Sequence, residues 1–171
     1  AQRYGIHRAT YYFYGNTDQG SKLYSRSGLV GNKAANFQKK KGFYALESLV
    51  NLLGTRHFVD IVQEDDDAYV YLLGDANGNV THVVAWRPVN GNNSTIVNYA
   101  WNTAHQAGAA FLLDGNSSNG TQTSTPNKVG NIMNIPISAT PIVISLGGGY
   151  SNNAIPTTTP GTATQDNGGS S

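Results

Sequence analysis

Cysteine is absent from the 171 residues and charged side chains make up only 12% of them. The first absence removes disulfide staples, thiolate nucleophiles and cysteine-ligated zinc. The second, with a net charge of +1, removes the long-range field that draws a protein to nucleic acid or to an anionic membrane; Lys39-Lys40-Lys41 is the one basic cluster. Missing too is any run near the roughly 20 apolar residues that cross a bilayer, so no membrane span is expected. What is abundant instead is Gly, Asn, Ser, Thr and Tyr. With 39% hydrophobic residues the chain has enough apolar material for one domain with a core and a neutral surface rich in hydroxyls and amides.

The stretch Phe58 to Pro88, FVDIVQEDDDAYVYLLGDANGNVTHVVAWRP, carries the strongest pattern. Its apolar residues recur every second position around two polar breaks, which predicts three consecutive antiparallel strands. The second break, Gly74 to Asn79, holds an Asn-Gly pair, so the hairpin is expected to turn at Asn77-Gly78. The first, Glu64 to Asp67, reads as a polar turn rather than a calcium loop. Later short runs, Thr95–Trp101, Ala109–Leu113, Val129–Ile137 and Pro141–Leu146, are bounded by Gly, Asn, Ser or Pro and are expected to supply a second layer. The predicted fold class is mainly β: an antiparallel β-sandwich with one packed α-helix and an extended low-complexity C-terminal tail.

The helix comes earlier. Phe43, Leu46, Leu49, Val50 and Leu53 fall at helical spacing and Gly54 follows as a stop signal. Its Phe43, Leu46, Val50 stripe is expected to pack on one face of the sandwich. Arg3 to Tyr14, RYGIHRATYYFY, reads as a further strand. The expected organisation is therefore 1–54 as N-terminal strand, loop and helix, 55–146 as the sandwich, and 147–171 as a Gly/Thr/Pro-rich tail.

KKKGFYALESLVNLLG, the FVDIV strand, the YVYLLGDANGN hairpin, VVAWRP and NIPISATPIVISL together resemble the last part of clan-A glycoside hydrolases. In that clan the final barrel strand and helix run into a C-terminal β-sandwich. The resemblance makes GIHRATYYFYG the last barrel strand, FYALESLVNLLG the helix that closes the barrel, and SATPIVISL the last sandwich strand. It also implies that the two catalytic carboxylates belong to barrel strands upstream of every segment matched here. Independently of the resemblance, a glycosidase needs two facing carboxyl groups. Here Glu47 lies on the predicted helix, the acidic run 64–67 reads as a turn, and no catalytic residue is assigned.

The remaining chemistry is sparse. Asp75-Ala76-Asn77-Gly78-Asn79 fails as an EF-hand because Gly comes too early and Trp86 stands where the bidentate Glu belongs. His7, His57, His82 and His105 have no partner at ligand or triad spacing, so no metal and no cofactor is expected. Trp86, inside a strand, is expected in the core. Tyr99 and Trp101 share one side of a strand, and are the best candidates for an exposed sugar-stacking pair. Sequons at Asn79, Asn92, Asn93, Asn116 and Asn119 fall in expected turns or loops, and Thr157, Thr158 and Thr159 sit in a tail with the composition of an O-glycosylated stalk. Ala1-Gln2 suits a start left by cleavage after a small residue.

These features predict an extracellular, secreted, glycosylated β-sandwich that is not an enzyme. Its leading role is as a subunit of a self-associating, filament-like assembly, with copies meeting head-to-tail by exchange of strand 3–14 or tail 147–171. The alternative is a carbohydrate-binding or accessory C-terminal region of a glycoside hydrolase, with polysaccharide as partner.

Overall fold

The computed structural model describes residues 15–16, 28–88 and 95–147. The expected strand Arg3–Tyr14, most of the tail, Asn92, Asn93 and Thr157 to Thr159 lie outside them. The helix α1 is Lys41–Leu53, and nine strands follow: β1 His57–Glu64, β2 Tyr69–Gly74, β3 Val80–Trp86, β4 Val97–Asn102, β5 Gln106–Leu112, β6 Thr121–Thr123, β7 Asn127–Val129, β8 Ile132–Ile137 and β9 Ile142–Gly147. They form two antiparallel sheets, a six-stranded one in the order β1-β2-β3-β9-β5-β6 and a three-stranded one in the order β4-β8-β7.

The β1-β2-β3 meander is as expected, but the later runs do not all join the second layer. β9 pairs with β3 on one side and with β5 on the other, so the segments around Ala109–Leu113 and Pro141–Leu146 extend the first sheet. The reason lies in the composition of β9. Ile142, Val143 and Ile144 are all buried, a continuous apolar run that suits an interior strand. Only β4, β7 and β8 make the opposing layer.

The inter-sheet core joins Val70, Val83, Ala85, Ala110, Ile142 and Ile144 of the large sheet to Trp101, Met133, Ile135 and Ile137 of the small one. Alternation along β8 is complete: Met133, Ile135 and Ile137 are buried while Ile132, Asn134 and Pro136 are not. Pro136, which has no N–H to give, lies beyond the β7–β8 ladder, which ends at Asn134.

The hairpin between β2 and β3 differs in detail from an Asn-Gly turn. Gly78 N–H donates to the Asp75 carbonyl at 3.0 Å, which puts Ala76 and Asn77 at the centre, and Gly78 follows with φ 80°. A type I turn followed by a left-handed residue is the usual three-residue hairpin loop, and the ladder slips between Leu73 and Gly74 accordingly. The Asp75 carboxylate fixes this choice by accepting the Asn77 N–H at 2.8 Å and the Asn79 N–H at 3.0 Å.

The helix starts at Lys41 without a side-chain cap and ends at Gly54, whose N–H reaches the Val50 carbonyl. Its orientation is the reverse of the expected one. Ser48 is fully buried, Asn51 Nδ2 donates to the Ser118 carbonyl at 2.9 Å, and a Cβ on Gly115 would come 2.4 Å from the Lys41 carbonyl oxygen. The helix therefore rests on the β5–β6 connection through its Lys41, Ser48, Asn51 side. Leu46 and Val50, one turn apart, are 44% and 61% exposed instead of packed on the sandwich. The helical period is as expected, but the stripe with Leu46 and Val50 is not the one the sandwich covers.

This arrangement separates two substitutions of similar size. Met133→Ala empties a fully buried site and is expected to cost about 2–5 kcal/mol in chemical denaturation. Leu46→Ala is expected to stay within about 0.5 kcal/mol of the parent, as exposed helix positions do. A large loss for Leu46→Ala would place that stripe inside the fold.

Candidate functional site

The expected sugar-stacking pair is not an exposed pair. Tyr99 and Trp101 do share one side of β4, but it is the inward side. They pair across the ladder with Ile135 and Met133, Trp101 is only 6% exposed, and Tyr99 packs against the same core. Burial, then the charge of Asp65, raises the Tyr99 phenol above its ordinary value. Trp101 stacks on His105, with ring centroids 6.0 Å apart. Equal alternation was legible in the sequence; which parity faces the core was decided by β8.

Trp86 is also displaced from its expected place. Val70 and Ala85 are ladder partners in the core, so Tyr69 and Trp86, the adjacent partners, point to the opposite face of the large sheet. There Trp86 lies 5.1 Å from Tyr69 and 5.2 Å from Tyr71 between ring centroids, and Phe58 meets Tyr71 at 6.2 Å. Tyr71 donates its hydroxyl to Glu64. The Tyr71–Trp86 and Phe58–Tyr71 pairs are near-perpendicular, an edge-to-face geometry that uses ring faces for one another. The signal that locates this cluster is the i, i+2 pair Tyr69 and Tyr71 together with the hairpin register.

Three of the carboxylates, Asp65, Asp75 and Asp114, are engaged in turns. Asp65 accepts from Gln63 Nε2 at 2.8 Å, from Asp67 N–H at 2.9 Å and from Ala68 N–H at 3.0 Å, so the 64–67 run is a polar turn. The Gln63 amide, then the backbone N–H groups, hold Asp65 below the usual carboxylate range. The Asn79 side chain and backbone do the same for Asp75. At Asp114 burial pushes upward, but bonds from Asn116 and from the Thr121 hydroxyl outweigh it and the carboxyl ends lowered. A glycosidase acid needs the opposite shift.

Of the sequons, Asn79 is partly buried with Nδ2 on Asp75 at 3.0 Å. Asn116 and Asn119 are exposed in the β5–β6 connection. Asn116 Nδ2 donates to Asp114 at 2.6 Å and Asn119 Oδ1 accepts from Asn51 at 3.4 Å. Among the histidines, His82 Nδ1 lies 3.0 Å from the Thr81 hydroxyl, and burial, then Arg56, lowers its affinity for a proton. No helix among the described residues is long and apolar enough to cross a membrane.

No family model matches the chain, and no curated protein matches it significantly. Solved structures do. The fold is similar to part of a family 39 glycoside hydrolase from the gut symbiont Bacteroides cellulosilyticus WH2, with a TM-score of 0.61 and 14% identity over 78% of this chain and 25% of that one. It is also similar to part of a family 30 subfamily 8 xylanase from Clostridium acetobutylicum, with a TM-score of 0.52 and 17% identity over 71% of this chain and 31% of that one. The fold is thus one found in glycoside hydrolases, and the chain spans between a quarter and a third of their length.

The lowered carboxyls give a pH prediction. A group whose folded pKa is depressed stabilises the fold above its unfolded value, and that contribution disappears as pH falls through the folded value. The melting temperature gap between the parent and Asp75→Asn is therefore expected to be widest near neutral pH and to shrink once pH drops below about 3.9, the unperturbed Asp value. A gap that widens on acidification would contradict the assignment of Asp75 as a charged turn acceptor.

Proposed function

We propose that this chain is a non-catalytic accessory region of a glycoside hydrolase-type protein, secreted and glycosylated, and that α1 docks it to a catalytic domain. The observation that carries the proposal is the uncovered stripe on α1. Leu46 and Val50 are exposed side by side on a helix held to the sandwich by its other side, and such a stripe is where a second body buries apolar surface. The fold similarity supports the same reading, because the comparable region is a minor part of each hydrolase. The turn-bound carboxyls support the absence of catalysis, since each described shift runs away from the range of a proton donor. Exposed sequons at Asn116 and Asn119 are consistent with secretion. Head-to-tail exchange of strand 3–14 or of the tail rests on residues outside the described ones, and no contact among the described residues favours a filament.

Two measurements on the purified chain test this. Incubation with arabinoxylan is expected to release no reducing ends above buffer. The Leu46→Ser/Val50→Ser variant is expected to keep the parent melting temperature while binding much less of a hydrophobic dye. Sugar release, or a double variant that unfolds several degrees earlier, would count against the accessory role.

A further inference from the structure

Among the described residues, the outer face of the small sheet stands out for its amides. Strand alternation turns Asn98 and Asn102 of β4, Asn134 of β8 and Asn127 of β7 away from the core, and all but the partly buried Asn134 are exposed. The register brings them together: Asn127 pairs directly with Asn134, Asn134 with Ala100, and Asn98 and Asn102 flank Ala100 on the same strand side. At ordinary strand spacing, neighbouring side chains lie about 5 Å apart across the sheet and about 7 Å apart along it. None of the four amides has a hydrogen-bond partner in the protein among the described residues, and none begins a glycosylation sequon.

Asn is among the residues strands disfavour, and solvent-facing strand positions ordinarily gain from Thr, Val or Tyr. Asn102 closes β4 and Asn127 opens β7, but Asn98 and Asn134 lie within their strands with no bulge in either ladder, and the gathering of all four on one face is a local conflict of the kind that marks function. The chemistry of the face is also one-sided. No outward position on the three strands is ionisable; Lys128, on the other side of β7, turns away and donates to the Ala104 carbonyl. Between the amides stand the small or aliphatic groups Ala100, Val129, Ile132 and Pro136.

We infer that this face binds an uncharged pyranose polysaccharide. A primary amide offers two donors and an acceptor in one plane, which matches neighbouring sugar hydroxyls that each donate and accept. The aliphatic groups suit the C–H faces of the rings, and the absence of charge complements a neutral polyol while offering nothing to a polyanion. A second copy stacked on the face would bury the amides where sheet-on-sheet packing needs interdigitated apolar side chains, so a copy is the poorer occupant. The inference extends the accessory reading by naming a ligand class, yet it stands on different residues from α1.

Affinity electrophoresis of the full chain in gels containing arabinoxylan, glucomannan or polygalacturonate tests it. The parent is expected to be retarded by at least one neutral polymer and not by polygalacturonate. Asn98→Thr/Asn127→Thr/Asn134→Thr, chosen because Thr favours strands, is expected to weaken that binding about tenfold or more without lowering the melting temperature. Gln122→Thr, an exposed amide lost from the other sheet, is expected to bind like the parent. No retardation of the parent, retardation by polygalacturonate alone, or undiminished binding by the triple variant each overturns the inference. So does sedimentation showing a dimer that the triple variant abolishes, which would give the face to a second copy. Each of these leaves the accessory reading standing as long as no sugar is released, so the two fail separately.

Discussion

The outer face of the small sheet depends on the parity with which β8 enters the core. Met133, Ile135 and Ile137 occupy the space opposite Val83, Ala85, Ile142 and Ile144, and a shift of one residue would send Asn134 and Pro136 into it. Because side chains alternate along a strand, that slip would bury an unpaired amide and expose three large apolar groups, so the register is strongly held. Through the ladder, β8 then fixes β4 and β7. Tyr99 and Trp101 must follow Ile135 and Met133 inward, and Asn98, Ala100 and Asn102 must face out.

The outward surfaces that result are chemically distinct. The large sheet closes part of its outer face with Phe58, Tyr69, Tyr71 and Trp86, whose rings spend their faces on each other and whose tyrosine is tied to Glu64. The helix presents Leu46 and Val50 beside the Lys39–Glu47 ion pair, an aliphatic surface with a charged edge suited to another protein body. The small sheet presents amides between small apolar groups, a surface suited to a neutral polyhydroxylated chain. The accessory role and the proposed ligand therefore draw on separate parts of one scaffold, as expected when function is carried by sites and not by the fold.

Much of the scaffold was legible in the residues. Alternation in β1 to β3 and the turn signals between them are local properties, and so is the helical period from Phe43 to Leu53. What local pattern leaves open is parity and partnership. Leu46 and Val50 have helical spacing whichever side the sandwich covers, and the side was chosen by Ser48, Asn51 and the close approach at Gly115, contacts with a loop more than sixty residues away. Tyr99 and Trp101 read as an exposed pair because aromatic alternation looks alike on either face. The amide cluster was invisible for the same reason: Asn98, Asn127 and Asn134 are scattered in sequence, and only the β4-β8-β7 order brings them side by side. The β9 crossover, which places Ile142 to Ile144 between β3 and β5, is a long-range choice of the same kind.

A nitrogen–proton correlation spectrum of the chain titrated with arabinoxylan fragments separates ligand binding at the proposed amide face of the small sheet from binding at the aromatics. The side-chain amide signals of Asn98, Asn127 and Asn134 are expected to move, with the indole signals of Trp86 and Trp101 unmoved. Movement confined to the Trp86 indole, with the three amides still, would contradict that expectation.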